Sequence, residues 1–232
     1  MVEIGYVLCS EEHGPKDLIR NAQLAEQAGF RFASIADHYL PWLEQQGNSP
    51  FAWSVLRAIA QATTGLRLGT EATCPLIRYH PAIIAQAAAT VGMLAPGCSS
   101  LGVRAGENLN EHILGRHWPE TEVRHEMLAE AVDIIRQLWN GDWVSYYGSF
   151  YTIENARLYS LPDATPPIYM AASGTEAAEL AGEIADGLIS TAPSSKTVQR
   201  FAKAGGQGKP IYGQLTVCWV DTETDARQRA YK

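Results

Sequence analysis

The chain has 232 residues, 46% of them apolar and 9% aromatic, enough for one large hydrophobic core or two small ones. A net charge of −7 with no run of lysine or arginine argues against nucleic-acid binding and against a polybasic membrane patch. The start of the chain has no basic segment followed by an apolar one, and no apolar run reaches the roughly 18 residues of a membrane span, so a cytoplasmic protein acting on a small-molecule substrate is expected.

Residues 2–8 read as a strand and 15–28 as a helix, with Pro15 at its start, Leu18, Ala22 and Ala25 on one face and Gly29 as its stop. Residues 32–36 form a second strand, 51–62 a helix, 66–71 a third strand and 81–94 a helix rich in Ala and Ile. A fourth strand over 99–104 leads to a helix over 122–139, where Val123, Met127, Ala131, Ile134 and Leu138 recur at helical spacing. Residues 142–158 break this rhythm: they alternate around a glycine turn like a small hairpin. Strands over 167–172, 187–191 and 210–219 then alternate with helices over 175–184, 196–204 and 222–231.

No composition break divides the chain, so residues 1–232 are expected to form one domain, α/β in class and a TIM (β/α)8 barrel in architecture. Seven such strands are legible and a closed barrel takes eight, so the last unit is expected to be missing. An open doubly wound sheet should carry a glycine-rich phosphate turn after its first strand, and Cys9-Ser10-Glu11-Glu12-His13-Gly14 is not one. Cys9, Cys74, Cys98 and Cys218 include no CxxC pair and read as buried thiols.

Two polar clusters follow apolar strands and therefore fall on the rim where a parallel barrel builds its chemistry. The first is Ala36-Asp37-His38-Tyr39-Leu40-Pro41-Trp42 and the second Gly102-Val103-Arg104-Ala105-Gly106-Glu107-Asn108. His38 has the address of a general base, with Asp37 beside it to tune or orient the ring, although a histidine bonded to a backbone carbonyl would look the same. Trp42 could stack on a flat ring or simply pack. Glu107 follows Gly106, whose missing side chain lets a ligand or another backbone come close. Ser173-Gly174-Thr175 and residues 191–195 could each hold a phosphate or serve as an ordinary helix cap. Glu111, His112, His117 and Glu120 match no metal-ligand spacing, and no metal is expected.

Several short segments in order carry a family resemblance: Asp37-His38 with Pro41-Trp42, Ser49-Pro50-Phe51, Leu68-Gly69-Thr70 with Cys74-Pro75, His80-Pro81-Ala82, Gly106-Glu107-Asn108-Leu109-Asn110-Glu111 and Asp186-Gly187. The chain resembles the bacterial luciferase-like superfamily and, within it, the deazaflavin-dependent oxidoreductases. The resemblance implies a homodimeric TIM barrel that uses coenzyme F420 for hydride transfer to or from an alcohol, sugar or sugar phosphate. It makes His38 the base, Glu107 the acid on the N1 side of the ring and Trp42 its neighbour. It places Asp37, Glu71, Ala72, Ala105, Gly106, Ser173, Gly174 and Thr191 around the cofactor, with a non-prolyl cis peptide at Glu71–Ala72 behind the ring. An FMN-dependent monooxygenase and a non-catalytic flavin-binding protein are the alternatives.

The chain also departs from its relatives. They carry glycine and a small hydroxyl residue where Arg104 and Ala105 stand, and a phosphate-binding lysine where Ser194 stands, with Lys196 two residues later.

Overall fold

The computed structural model describes residues 2–192 and 194–230. Pro193 and Tyr231, each part of a segment read above from sequence, lie outside the described residues. Seven strands form one sheet, in which every pairing is parallel. They are β1 (Gly5–Leu8), β2 (Phe32–Ile35), β3 (Arg67–Thr70), β4 (Ser99–Val103), β7 (Ile168–Ala171), β8 (Gly187–Ser190) and β9 (Ile211–Gly213), in that spatial order. The expected hairpin is present as β5 (Val144–Tyr147) and β6 (Thr152–Ala156), which pair antiparallel.

The helices are α1 (Pro15–Gln27), α2 (Ala52–Ala62), α3 (Pro81–Leu94), α4 (Asn108–Glu111), α5 (Thr121–Trp139), α6 (Thr175–Ile184), α7 (Ser195–Phe201) and α8 (Glu223–Ala230). Each of α1, α2, α3, α5 and α6 buries a stripe of its surface, and neighbouring helices pack in chain order, α1 on α2, α3 on α5 and α6 on α7. On α5, Leu128, Ala131, Ile134 and Ile135 are fully enclosed, and each of the larger three contributes roughly 1.5–3 kcal/mol through removal from water. Helix α3 is set by Pro81 in its first turn and by the His80 Nδ1, which accepts from the Ala82 N–H at 3.2 Å.

The sheet is curled. The ring of Phe32 on β2 meets that of Tyr212 on β9 edge-on, with 5.3 Å between centroids, and Tyr212 meets Tyr169 on β7 at 4.9 Å. Strands far apart in the sheet order thus share one interior layer. Gly5 makes room for it, since a Cβ there would overlap the Phe32 ring.

Three expectations need correction. The last strand is three residues long, not the ten of 210–219. After Gly213 one bond continues the ladder, Gln214 N–H to Ser190 O at 3.1 Å, and then the alternating residues Leu215, Val217 and Trp219 stand in solvent. Their pattern suits a strand, but β9 pairs only with β8, and no second surface among the described residues covers that face. Residues 2–4 stay outside β1 for the same reason, because β1 pairs only with β2. Nor are the thiols uniformly buried: Cys74 is enclosed, Cys9 and Cys98 are half-buried and Cys218 is exposed. Among the described residues no helix is long and apolar enough to cross a membrane.

Candidate active site

Because all seven strands run the same way, the residues just past their last positions share one rim. β2 delivers Asp37 and His38 there, and β1 delivers Glu11. His38 is buried, and its Nδ1 lies 2.6 Å from Glu11 Oε1, an ion-pair contact without an aligned hydrogen bond. Burial alone would raise the Glu11 pKa, but His38, the local backbone and the Cys9 thiol together hold the carboxyl below the usual range. Ser10 Oγ also donates to Glu11 Oε2, at 3.4 Å. With Nδ1 turned to the carboxylate, Nε2 is the ring nitrogen left for chemistry. The indole of Trp42 stands perpendicular to the imidazole, 5.0 Å between centroids, with about half its surface open.

Asp37 faces the other way. Its side chain is fully enclosed: Oδ2 accepts from Thr73 Oγ1 at 2.8 Å, and Oδ1 accepts from the Tyr79 hydroxyl at 3.0 Å and from Arg78 Nη2 at 3.2 Å. Arg78 in turn meets Glu111, which accepts from its backbone N–H at 2.9 Å and its Nε at 3.4 Å. Burial pushes the Tyr79 hydroxyl pKa far up, with Asp37 adding to it, and burial raises Glu111 although Arg78 opposes it. A buried network of this kind is sound only while every member is paired. Asp37 therefore acts on the rim through what it holds, the segment after β3.

That segment carries a cis peptide at Glu71–Ala72, as expected. Glu71 accepts a hydrogen bond from the Ser34 hydroxyl; burial raises its pKa and Ser34 partly offsets this. Thr70 stitches β3 to β4 through its hydroxyl, which donates to Gly102 O at 2.8 Å and accepts from Gly102 N–H at 3.0 Å. The contact needs glycine, since a Cβ on residue 102 would overlap the Thr70 carbonyl oxygen.

Beyond β4 the chain turns at Gly106, where φ is +75° and a Cβ would overlap Cys74 Sγ. Arg124, on the first turn of α5 and over the Trp118 ring at 4.7 Å, donates to the carbonyls of Ala105 and Gly106 at 3.2 and 3.0 Å. Arg104 and Glu107 form a two-pronged pair, Nη1 to Oε1 and Nη2 to Oε2 at 2.7 Å. Asn110 joins this turn to the His38 segment: its Oδ1 accepts from the N–H groups of Tyr39 and Leu40 at 2.7 and 3.1 Å, and its Nδ2 donates to Glu107 Oε2 at 3.5 Å.

Ser173, Gly174 and Thr191, past β7 and β8, reach the same rim but are exposed. Ser194, standing where a lysine was expected, spends its hydroxyl as the cap of α7, accepting from Thr197 N–H at 3.3 Å and Thr197 Oγ1 at 2.9 Å. Lys196 is exposed.

The structure thus brings His38, Trp42, Glu107, Ala105 and Gly106 to one side of the rim and adds Glu11, Thr73, Arg78, Asn110 and Arg124, which sequence reasoning missed. Only Asn110 carried a signal, as part of the motif that follows Gly106. Glu111, considered above with His112, His117 and Glu120, belongs to the Arg78 network, and among the described residues no three His, Cys, Asp or Glu side chains are grouped to hold a metal.

A sequence model of the luciferase-like monooxygenase family matches residues 3–232. The chain is 43% identical over 191 residues to an F420-dependent glucose-6-phosphate dehydrogenase of Beutenbergia cavernae, covering 82% of this chain and 57% of that one. It is 41% identical over 207 residues to an F420-dependent hydroxymycolic acid dehydrogenase of Mycobacterium tuberculosis, covering 88% and 57%. Among solved structures, an F420-dependent secondary alcohol dehydrogenase in complex with an F420-acetone adduct superposes with a TM-score of 0.86 at 36% identity, over 90% of this chain and 65% of that one. The chain therefore spans 57% of the length of these two curated relatives.

Proposed function

The chain belongs to the luciferase-like monooxygenase family, and on that premise we propose that it is an oxidoreductase moving a hydride between the carbinol carbon of an alcohol or sugar and coenzyme F420. The observation that carries this reading is the Glu11–His38 pair on the rim, a buried imidazole with one nitrogen committed to a carboxylate and the other available. The three relatives above are all named F420-dependent dehydrogenases, of glucose 6-phosphate, hydroxymycolic acid and a secondary alcohol. The rim residues suit a large polar ring system: the buried Arg104 Nε–H has no acceptor of its own, and the chain turns closely at Gly106 beside it.

When bound, the deazaflavin supplies a two-electron hydride acceptor. His38 Nε2 takes the hydroxyl proton of the substrate, and Glu11 holds the ring in orientation and balances the imidazolium charge. Trp42 forms an apolar wall that keeps water from the reacting carbon. Glu71, Ala72, Ala105, Gly106, Ser173, Gly174 and Thr191 are the residues that would hold the cofactor, through backbone amide and hydroxyl groups, and Asp37 would keep the β3 segment in place. Because the Ser194 hydroxyl is committed to its helix, the reading does not require a phosphorylated substrate.

The same proposal takes the seven parallel strands as part of a (β/α)8 barrel and includes a homodimer and a cytoplasmic setting. Titration of the purified protein with the deazaflavin and, separately, with FMN tests it. Tight deazaflavin binding with weak FMN binding is expected. A preference for FMN would move the assignment to a monooxygenase, and binding of neither would overturn the reading.

A further inference from the structure

The Arg104–Glu107 pair differs from the surface ion pairs of this chain. Arg67–Glu3, Arg136–Asp186, Arg200–Glu179 and Arg227–Glu223 have both partners largely in water, whereas the Arg104 side chain is only 16% exposed. Both oxygens of Glu107 are taken, one by each terminal nitrogen of the guanidinium, and Asn110 Nδ2 adds a third donor at 3.5 Å. A carboxylate carries no proton to give, and one gripped in this way could take up a proton only by breaking a bond of the pair. At the same time the Arg104 Nε–H is buried with no acceptor. Folded proteins seldom leave a buried donor unmade, because it forfeits its bond to water and gains nothing in return. Glu107 cannot supply the acceptor while its oxygens face the terminal nitrogens. The unpaired donor lies on the segment past β4, which Asn110 bridges to the His38 segment.

We infer that Arg104, not Glu107, is the group that meets the negative charge gained by the hydride acceptor, and that Glu107 is a positioning residue holding the guanidinium in place. The inference rests on the proposed function. In the reaction the substrate's C–H and O–H bonds break and a C=O bond forms. The hydride goes to the acceptor, which gains one C–H bond and one negative charge, and the proton goes to His38 Nε2. The imidazolium formed at His38 keeps the overall charge in balance, and the Arg104 guanidinium, already paired with Glu107, meets the acceptor's new charge through its remaining Nε–H, so no proton from Glu107 is needed.

The test compares binding of the oxidised and the reduced deazaflavin, by fluorescence and absorbance titration, to the wild-type chain and to Arg104→Met, Arg104→Lys and Glu107→Gln. Both affinities are measured on one sample of each variant, so their ratio is unaffected by any fraction that fails to fold. Arg104→Met is expected to weaken binding of the reduced form at least tenfold more than that of the oxidised form. Arg104→Lys should retain part of the preference, and Glu107→Gln, which removes the carboxylate that neutralises the guanidinium, should retain or increase it. An unchanged ratio in Arg104→Met would overturn the inference while leaving the proposed function intact. So would a larger loss in Glu107→Gln than in Arg104→Met, which would make Glu107 the proton donor. A wild-type chain that binds neither form would instead overturn the proposed function, and this inference with it.

Discussion

After β1 to β4 the rim is tied together by buried polar side chains, whereas after β7 and β8 it consists of short exposed turns. In the first region Glu11 grips His38, Asp37 collects Thr73, Tyr79 and Arg78, and Asn110 spans from Glu107 to the Tyr39 and Leu40 backbone. In the second, Ser173, Gly174 and Thr191 are open to solvent, and the nearest buried hydroxyl groups serve local backbone: Ser190 Oγ donates to Ala192 O at 2.7 Å. The first region holds its geometry before any ligand arrives, as proton transfer and charge stabilisation require. The second shows no comparable buried network among the described residues. The proposed function accordingly draws its chemistry from the first half of the sheet and its cofactor contacts from both.

The strongest way to break this division is at His38. His38→Ala is expected to reduce turnover by about 10²- to 10⁴-fold, the usual worth of a placed general base, while leaving deazaflavin affinity near wild type. Glu11→Gln should give a smaller loss in the same direction, since the base remains but its orientation and its counter-charge are weakened. Steady-state kinetics beside a binding titration separate the two quantities. If both changes altered affinity and left turnover intact, the assignment of chemistry to the first half would be wrong.

A second prediction concerns β4, the last strand of the first half. Strand β4 pairs with β3 on one side and β7 on the other, and Gly102 is where its backbone comes closest to Thr70. Gly102→Ala forces that carbonyl to move and is expected to destabilise the fold by about 1–3 kcal/mol, measured as a lower urea midpoint. A methyl tolerated there without loss would mean that β3 and β4 can part at the rim, and the preorganisation of the first half would be weaker than described.

How legible each half was in the sequence follows from the same physics. The parallel strands and their helices were readable because burial imposes a period, and the largest boundary error, residues 214–219, fell on a segment whose pattern has no covering surface. His38 and Glu107 were readable because they follow apolar strands. Glu11 was not, since nothing in Cys9-Ser10-Glu11 marks which of two adjacent carboxylates turns inward to meet a histidine on the next strand. Arg78 and Arg124 were hidden for a similar reason: each is defined by partners brought near only by the fold, Asp37 and Glu111 for one and the 105–106 carbonyls for the other. Asp37 was placed correctly on the rim, but its enclosed side chain and full set of partners could not be read from its neighbours in the chain.

The smallest expected effect sharpens the comparison from the other side. Ser173→Ala and Thr191→Ala each remove one exposed hydroxyl, and no buried partner is left behind in the free protein. If these hydroxyls contact the cofactor, each change costs one hydrogen bond of about 1 kcal/mol, a rise in the deazaflavin dissociation constant of roughly fivefold. Turnover at saturating cofactor should stay at the wild-type value, because neither group touches the proton or the reacting carbon. Stability should also be unchanged, in contrast to Gly102→Ala. A loss of turnover at saturation would show that the β7 and β8 turns shape the reacting geometry, and the two halves of the rim would then have to be treated as one catalytic unit.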